Sequence, residues 1–392
     1  MGGWGRAAIV VPAALLLAFL VVRVAFVDAF VAKEPARAAT IWPAHPMVLL
    51  ETGLVEVGDT AAAGRPVDKA LIDRLKAASA KAPLAPEPFL VRGVEAQLAG
   101  DNRLALNAFL AARQRNPRAV AARYFLADLY LKTGQTGRGL TEISALARLV
   151  PESLSKVAPH LAAYAKRPSV APQVREMLRD DPRLEYALLS NLASDANNAR
   201  LVTYLWSGRG GDDAKIWQRS LLDSLVAAGR FDEARAAWTR FTGQSAAQNG
   251  LFDPQFAAGS LPPFGWTLES GPSGIAESQE GGRLHVLYYG RDDLILASQI
   301  LTLRPGRYRL SMNVTISPPP SKSLSWAVRC LPGSNPIASI LLDRSGSVAA
   351  AFVVPAGGCP AQRLELFGDA PEFPERAEIT IGRLKLQRDA TQ

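Results

Sequence analysis

The sequence predicts a multidomain α + all-β protein: an N-terminal transmembrane helix, an α-helical solenoid and a C-terminal antiparallel β-sandwich. Three observations carry that class. The run from Ala7 to Val27 is apolar and long enough to cross a bilayer. Pro83, Pro117 and Pro151 recur every 34 residues, and Gly100 and Gly134 keep the same interval. A fixed period of this length is produced by stacked helix–turn–helix units. From Asn249 onward Pro and Gly become frequent and the hydrophobic period falls from helical to two. The resulting division is residues 1–30 as anchor, 31–44 as linker, 45–243 as solenoid and 249–388 as sandwich.

Composition sets the outer bounds. The chain has 392 residues, 48% hydrophobic and 20% charged, which suits several folded domains and excludes a largely disordered chain. The net charge of +8 is confined to the first 248 residues, because Lys/Arg and Asp/Glu number 13 each from Asn249 onward. The basic residues are interleaved with acids, so a solvated helical surface explains them better than nucleic-acid binding.

The anchor comes first. Pro12 is tolerable near the start of the apolar run, and Arg23 lies close enough to its far end to snorkel. A cleaved signal peptide is the rival reading, with Val27-Asp28-Ala29 as a usable small-residue site, but the run is longer than most signal cores. Arg23, Lys33 and Arg37 lie in or after the apolar run and Arg6 precedes it, which by the positive-inside rule puts the bulk of the chain in the cytoplasm. The cysteine pair and the β-rich domain argue for export, and the expectation is a cytoplasmic N-terminus with the remainder outside the membrane.

The solenoid follows. His45–Gly58 and Pro66–Ala80 carry helical spacing and form a divergent first unit with a long turn from Thr60 to Arg65. In the next unit Phe89 stands at the first aromatic position and Gly93 and Ala96 sit where helix A must be small. Gly100 marks the turn, Ala105, Phe109 and Ala112 fall on helix B, and Pro117 closes the unit. Residue by residue, Pro86–Arg118 resembles a tetratricopeptide repeat. Ala119–Pro151 follows in phase with Leu126, Ala127, Tyr130, Gly134 and Ile143, though Arg123 replaces the aromatic and Gly139 the alanine. The period then fails across 152–212, where Leu154–Lys166, Val170–Arg179, Leu184–Leu192 and Asn198–Trp206 read as short amphipathic helices. It returns at Ile216–Thr242, with the family-like hexapeptide Gly229–Ala234. The resemblance implies a protein-binding groove lined by the A helices, with Arg92, Glu95, Arg123 and Asp128 as its candidate polar residues.

The C-terminal region alternates. Arg307–Ile316 is the cleanest strand, Leu324–Cys330 a second, and further strands fit Leu284–Tyr289, Leu296–Leu303, Ala350–Val354, Arg363–Phe367 and Glu378–Leu386. Asn249–Asp253, Pro263-Phe-Gly-Trp266, Gln299-Ile-Leu301 and Pro305–Leu310 resemble jelly-roll carbohydrate-binding modules, over roughly Asn249–Gln387. That resemblance implies sugar binding through an exposed aromatic platform. Trp326 alternates in phase with Leu324 and Val328 and should point inward, which leaves Trp266, Tyr288 and Tyr289 as carbohydrate-contact candidates. Core or rim packing is the competing explanation for each. Arg307, Arg309, Arg383 and Lys385 suit an acidic glycan, while edge charges that block sheet-to-sheet pairing explain them as well. Cys330 and Cys359 suggest a disulfide in an oxidising compartment; two buried thiols remain open.

No catalytic constellation emerges. His45, His160 and His285 lack metal-ligand spacing, Gly208-Arg-Gly-Gly211 lacks the order of a phosphate loop, and Asp292-Asp293 would face opposite sides of a strand. The sequence therefore points to no cofactor, no metal and no enzyme. The expectation is an adaptor in the bacterial inner membrane, anchored through residues 7–27, with the bulk of the chain periplasmic. Its solenoid would bind a protein and its jelly roll a glycan or a partner; by resemblance, such chains suit surface-polysaccharide synthesis or export. A glycan-processing enzyme and a purely structural envelope protein are the alternatives.

Overall fold

The computed structural model describes residues 3–62, 65–151, 154–244, 250–257, 260–317, 322–333 and 336–389. Asn249, residues 152 and 153, and part of the expected turn from Thr60 to Arg65 lie outside them. Two compact units are present, Met1–Val157 and Ala158–Gln392. The second holds the later helices together with the sandwich, so the expected break between residues 243 and 249 falls inside it.

In the first unit, α1 (Gly3–Phe30) contains an apolar stretch, Val10–Phe30, of mean hydropathy 2.6, suited by length and composition to a membrane anchor or a signal sequence. The expected linker is folded. A short helix, α2 (Pro35–Ile41), buries Ala38 against Val27 and Val48, with Phe30 and Trp42 packed around them. Arg23 does not simply extend toward the helix end: its guanidinium lies 4.1 Å from the centre of the Trp42 ring, and that of Arg37 lies 4.2 Å from the Phe30 ring.

Three helical pairs follow: α3 (Pro46–Ala62) with α4 (Lys69–Ser79), α5 (Glu87–Leu98) with α6 (Asn102–Arg115), and α7 (Val120–Lys132) with α8 (Thr136–Leu149). Each helix buries one stripe, so Leu50, Leu75, Leu90, Val94, Phe109 and Leu126 share one core. Gly93 permits the α5–α6 approach, since a Cβ there would lie 2.3 Å from the Phe109 ring. The turns repeat in atomic detail. Gly100 and Gly134 both adopt φ of 78°. The following amide donates to the carbonyl five residues back, Asp101 to Ala96 at 2.9 Å and Gln135 to Tyr130 at 2.8 Å. This helix-ending bond pattern needs a left-handed residue, which glycine supplies without steric cost.

In chain order come α9 (Leu154–Ala165), α10 (Ala171–Asp180), α11 (Pro182–Ala193), α12 (Ala199–Leu205), α13 (Asp212–Ala227) and α14 (Phe231–Thr242). Gly229, at φ 72°, repeats the same turn between the last two, with Arg230 donating to Leu225 at 2.9 Å. Trp238 of α14 is buried, and its indole N–H donates to the Leu261 carbonyl at 2.8 Å while its ring meets Phe252 edge-on at 4.2 Å. Arg235 donates to Thr302 at 2.9 Å. The last helix is thus packed on the β-domain.

The sandwich has eleven strands among the described residues: β1 (Thr267–Leu268), β2 (Ser270–Gly271), β3 (Gly274–Gln279), β4 (Arg283–Tyr288), β5 (Leu294–Leu301), β6 (Gly306–Ile316), β7 (Leu324–Leu331), β8 (Pro336–Leu341), β9 (Gly346–Val354), β10 (Ala361–Gly368) and β11 (Ala377–Arg388). One antiparallel sheet runs β1-β5-β10-β7-β8 and the other β2-β3-β4-β11-β6-β9. Inward positions alternate as expected, and Trp326, Val328, Leu364 and Leu366 of the first sheet share a core with Val286, Leu310, Met312 and Ile381 of the second. The sequence did not announce β1, β2, β3 and β8. The first two are two residues long, β3 is mostly polar, and β8 begins with proline at a sheet edge. Cys330 and Cys359 form a disulfide.

Candidate functional site

The expected groove residues divide sharply. Arg92 on α5 is exposed. Glu95 forms an ion pair with Lys76 of α4, and Asp128 of α7 accepts from Gln97 of α5 at 3.3 Å and from Lys132 at 2.8 Å. These three residues stay at the surface, two on α5 and one on α7. Arg123 is a correction. It donates to the Pro117 carbonyl at 2.9 and 2.7 Å and to Glu142 at 2.8 Å, and Glu142, 2% exposed, also pairs with Arg113. Arg123 therefore supplies a partner for a buried carboxylate; it does not furnish a groove contact.

The carbohydrate candidates are corrected more strongly. Trp266 is buried; its ring lies 4.9 Å from Phe256 and 5.9 Å from Trp326, and its indole donates to the Asp253 carbonyl at 2.8 Å. Tyr288 is fully buried, its hydroxyl donates to the Asp292 carbonyl at 2.9 Å, and burial pushes its pKa up to about 12. Neither offers a ring to solvent. Tyr289 is half-buried beneath the Arg291 guanidinium, 5.8 Å from the ring centre. Only Tyr289 of the three retains an accessible surface. Trp326 is buried, as its phase requires.

The polar surface of the β-domain lies instead on the outer face of the six-stranded sheet. Strand β6 presents Arg307, Arg309, Ser311, Asn313 and Thr315 outward, and β11 presents Thr380, Gly382, Arg383, Lys385 and Gln387. Between Gly382 and Lys385 the register shifts, and Arg383 takes φ of 54° at the bulge. The Arg283 stem on β4 crosses Gly382, where a Cβ would lie 3.3 Å from its Cγ. Arg307, Arg309, Arg383 and Lys385 are exposed, and none forms an ion pair with a described residue. The other end of the face is internally compensated. His285 lies 3.4 Å from Glu277 and 3.3 Å from Glu378, and Arg376 lies 2.8 Å from Glu378. Hydrogen bonding from His285 and then Arg376 holds the Glu378 carboxyl below its ordinary range.

Sequence reasoning passed over two buried carboxyl sites. Glu51 of α3 meets Glu87 of α5, and burial together with the Glu87 charge and hydrogen bond pushes Glu51 up to about 7. The second Glu87 oxygen is buried without a partner. Glu185 of α11 accepts from the Ser207 amide at 2.7 Å, the Ser207 hydroxyl at 3.0 Å and Arg209 at 3.2 Å. That network occupies the loop Gly208–Gly211 with structural bonds. The cavity lined by Arg235, Trp238, Phe252, Phe264 and Ile300 has a volume of about 20 Å³, room for one water molecule. Among the described residues no group of three His, Cys, Asp or Glu side chains is arranged to hold a metal ion.

No family model matches the chain, and no curated protein matches it. Among solved structures it is similar to a CBM4 structure at 10% identity, covering 37% of this chain and 100% of that one with a TM-score of 0.29. It is also similar to TmCBM61 in complex with beta-1,4-galactotriose, at 16% identity, 36% and 100% coverage and a TM-score of 0.25. A crystal structure of accessory secretory protein 1, 2 and 3 in Streptococcus pneumoniae is similar at 11% identity, 30% and 87% coverage and a TM-score of 0.23. At these scores the fold rests on the strand order itself.

Proposed function

We propose that the chain is a membrane-anchored adaptor of the bacterial envelope, working outside the inner membrane. The helical hairpins act as a tetratricopeptide-like surface for a protein partner, and the sandwich docks a glycan. The setting is synthesis or export of a surface polysaccharide. The observation that carries this reading is the distribution of uncommitted polar groups. They lie on open surfaces, Arg92 on α5 and four cations on the outer face of the six-stranded sheet, whereas Arg123, Glu142, Glu185 and Arg209 are consumed by internal bonds. Open polar surfaces suit docking of extended partners.

A non-enzymatic role belongs to the same proposal. Burial between α3 and α5 raises both the Glu51 and the Glu87 carboxyl, whereas glycosidase pairs stand roughly 5–9.5 Å apart across a substrate. Cross-linking of the full chain in native membranes, followed by purification, is expected to recover one defined protein whose yield falls when Arg92 and Asp128 are replaced by alanine. Recovery that is indifferent to both would remove the groove from the reading. A C-terminal alkaline phosphatase fusion is expected to be active in intact cells; an inactive fusion would reverse the orientation.

A further inference from the structure

We propose that the outer face of the six-stranded sheet is a docking surface for a carboxylate-bearing polysaccharide, a polyuronate, held by Arg283, Arg307, Arg309, Arg383 and Lys385. This rests on the reading of the sandwich as a glycan-docking domain and adds the charge class and the site.

Cations on strands are ordinarily explained as guards of a sheet edge. Arg307 and Arg309 lie on β6, which is paired on both sides along that stretch, with β11 and with β9. β11 pairs with β4 only as far as Gly382, so Arg383 and Lys385 lie on a stretch paired on one side. The outer strands of the sheet, β2 (Ser-Gly) and β9 (Gly-Ser-Val-Ala-Ala-Ala-Phe-Val-Val), carry no charge at all. Edge protection therefore leaves Arg307 and Arg309 unexplained.

From Asn249 onward, basic and acidic residues are equal at 13 each, yet five cations gather on one face. Two acids adjoin them. Asp389 lies opposite Arg307, its amide donating to the Arg307 carbonyl at 3.0 Å, and Glu280 adjoins Arg283, whose Nε donates to the Glu280 carbonyl at 3.1 Å; among the described residues neither forms a side-chain ion pair with the five cations. Glu277 and Glu378, at the far end, are engaged by His285 and Arg376. Clustered, uncompensated cations repel one another, and the arrangement spaces them. Arg309 stands opposite Gln387, Lys385 opposite Ser311, and Arg283 opposite Gly382, so no two cations form a direct cross-strand pair.

Guanidinium groups bind carboxylates bidentately, and neighbouring strands about 4.8 Å apart with alternate residues about 7 Å apart set cations at the scale of successive sugar residues. Ser311, Asn313 and Gln387 place neutral hydrogen-bonding groups among them, and Thr315 and Ser347 continue the polar face beyond, which suits sugar hydroxyls. Val353 is the one large apolar side chain exposed on the adjoining strand, leaving little to insert into a lipid surface.

The test uses the full chain in detergent, with polygalacturonate and the same polymer with its carboxylates reduced to alcohols. Polygalacturonate is expected to bind, to weaken with added salt, and to lose about tenfold or more in affinity in the Arg309→Ser/Lys385→Ser double variant. Arg309→Lys is expected to retain most of the binding, and unchanged thermal melting of both variants shows that the fold survives. Equal binding of the reduced polymer, indifferent to the double variant, would overturn the charge inference and leave glycan docking standing. Silence toward both polymers would sink glycan docking together with it. Binding confined to phosphatidylglycerol vesicles or to a poly-glutamate peptide would also overturn it.

Discussion

The two sheets of the sandwich treat charge in opposite ways. On the outward side of the five-stranded sheet, Glu365 is 2% exposed and is covered by its ion-pair partner Arg329 on the neighbouring strand. Two further polar groups of that sheet, Gln299 and Gln362, are buried and act as backbone surrogates. Gln299 accepts from the Phe252 amide at 2.9 Å and donates to its carbonyl, while Gln362 accepts from Leu303 at 2.9 Å and donates to the Cys359 carbonyl at 3.0 Å. On the six-stranded sheet Arg307, Arg309, Arg383 and Lys385 are exposed, and none forms an ion pair with a described residue. The difference separates polar residues that hold the fold from polar residues that remain available to a partner.

The largest effect should come from breaking the buried pair. Arg329→Ala leaves Glu365 buried without its cation, and chemical denaturation should register a loss of about 3–5 kcal/mol. The helical unit offers a sharper case, a buried carboxyl pair with no cation. Because Glu51 is raised from 4.5 to about 7 in the folded chain, its stabilising contribution is complete below the unfolded value and is lost as pH rises through the folded one. Stability measured from pH 4.5 to 8 should therefore fall by on the order of 3 kcal/mol, and Glu51→Gln should flatten that slope. Gln299→Leu strips two partners from the Phe252 backbone and should cost about 1–3 kcal/mol in the same assay. At the bottom of the scale, Arg309→Ser should change stability by less than about 0.5 kcal/mol, since its exposed side chain forms no ion pair with a described residue. A large loss there would mean that the face is structural and would dissolve the contrast between the sheets.

Much of the architecture was legible because its causes are local. The Gly100, Gly134 and Gly229 turns require a left-handed residue, and that requirement is written as a repeated glycine. The alternation of Arg307–Ile316 placed Leu310 and Met312 inward and the arginines outward. Tyr288 shares that kind of signal, since it is in phase with Leu284 and Val286, and the phase alone argued for burial. Trp266 had no such signal. It precedes a two-residue strand, and its burial depends on Phe256 and Trp326 reaching it from other parts of the chain. Arg123 was misread because its partner Glu142 lies 19 residues away on the next helix.

The sequence by itself determined the apolar helix, the helical hairpins with their turns, the strands of the sandwich core and the phase of their side chains. Periodicity and backbone preference act over a few residues, and those features need nothing more. Only the tertiary structure decided that Trp238 of the last helix packs on the β-domain, that Glu51 meets Glu87, and that β6 lies between β11 and β9. Each depends on which distant segments become neighbours. The meaning of Arg307 and Arg309 turns on that last point, because an outward cation guards an edge or serves a surface according to its strand's place in the sheet.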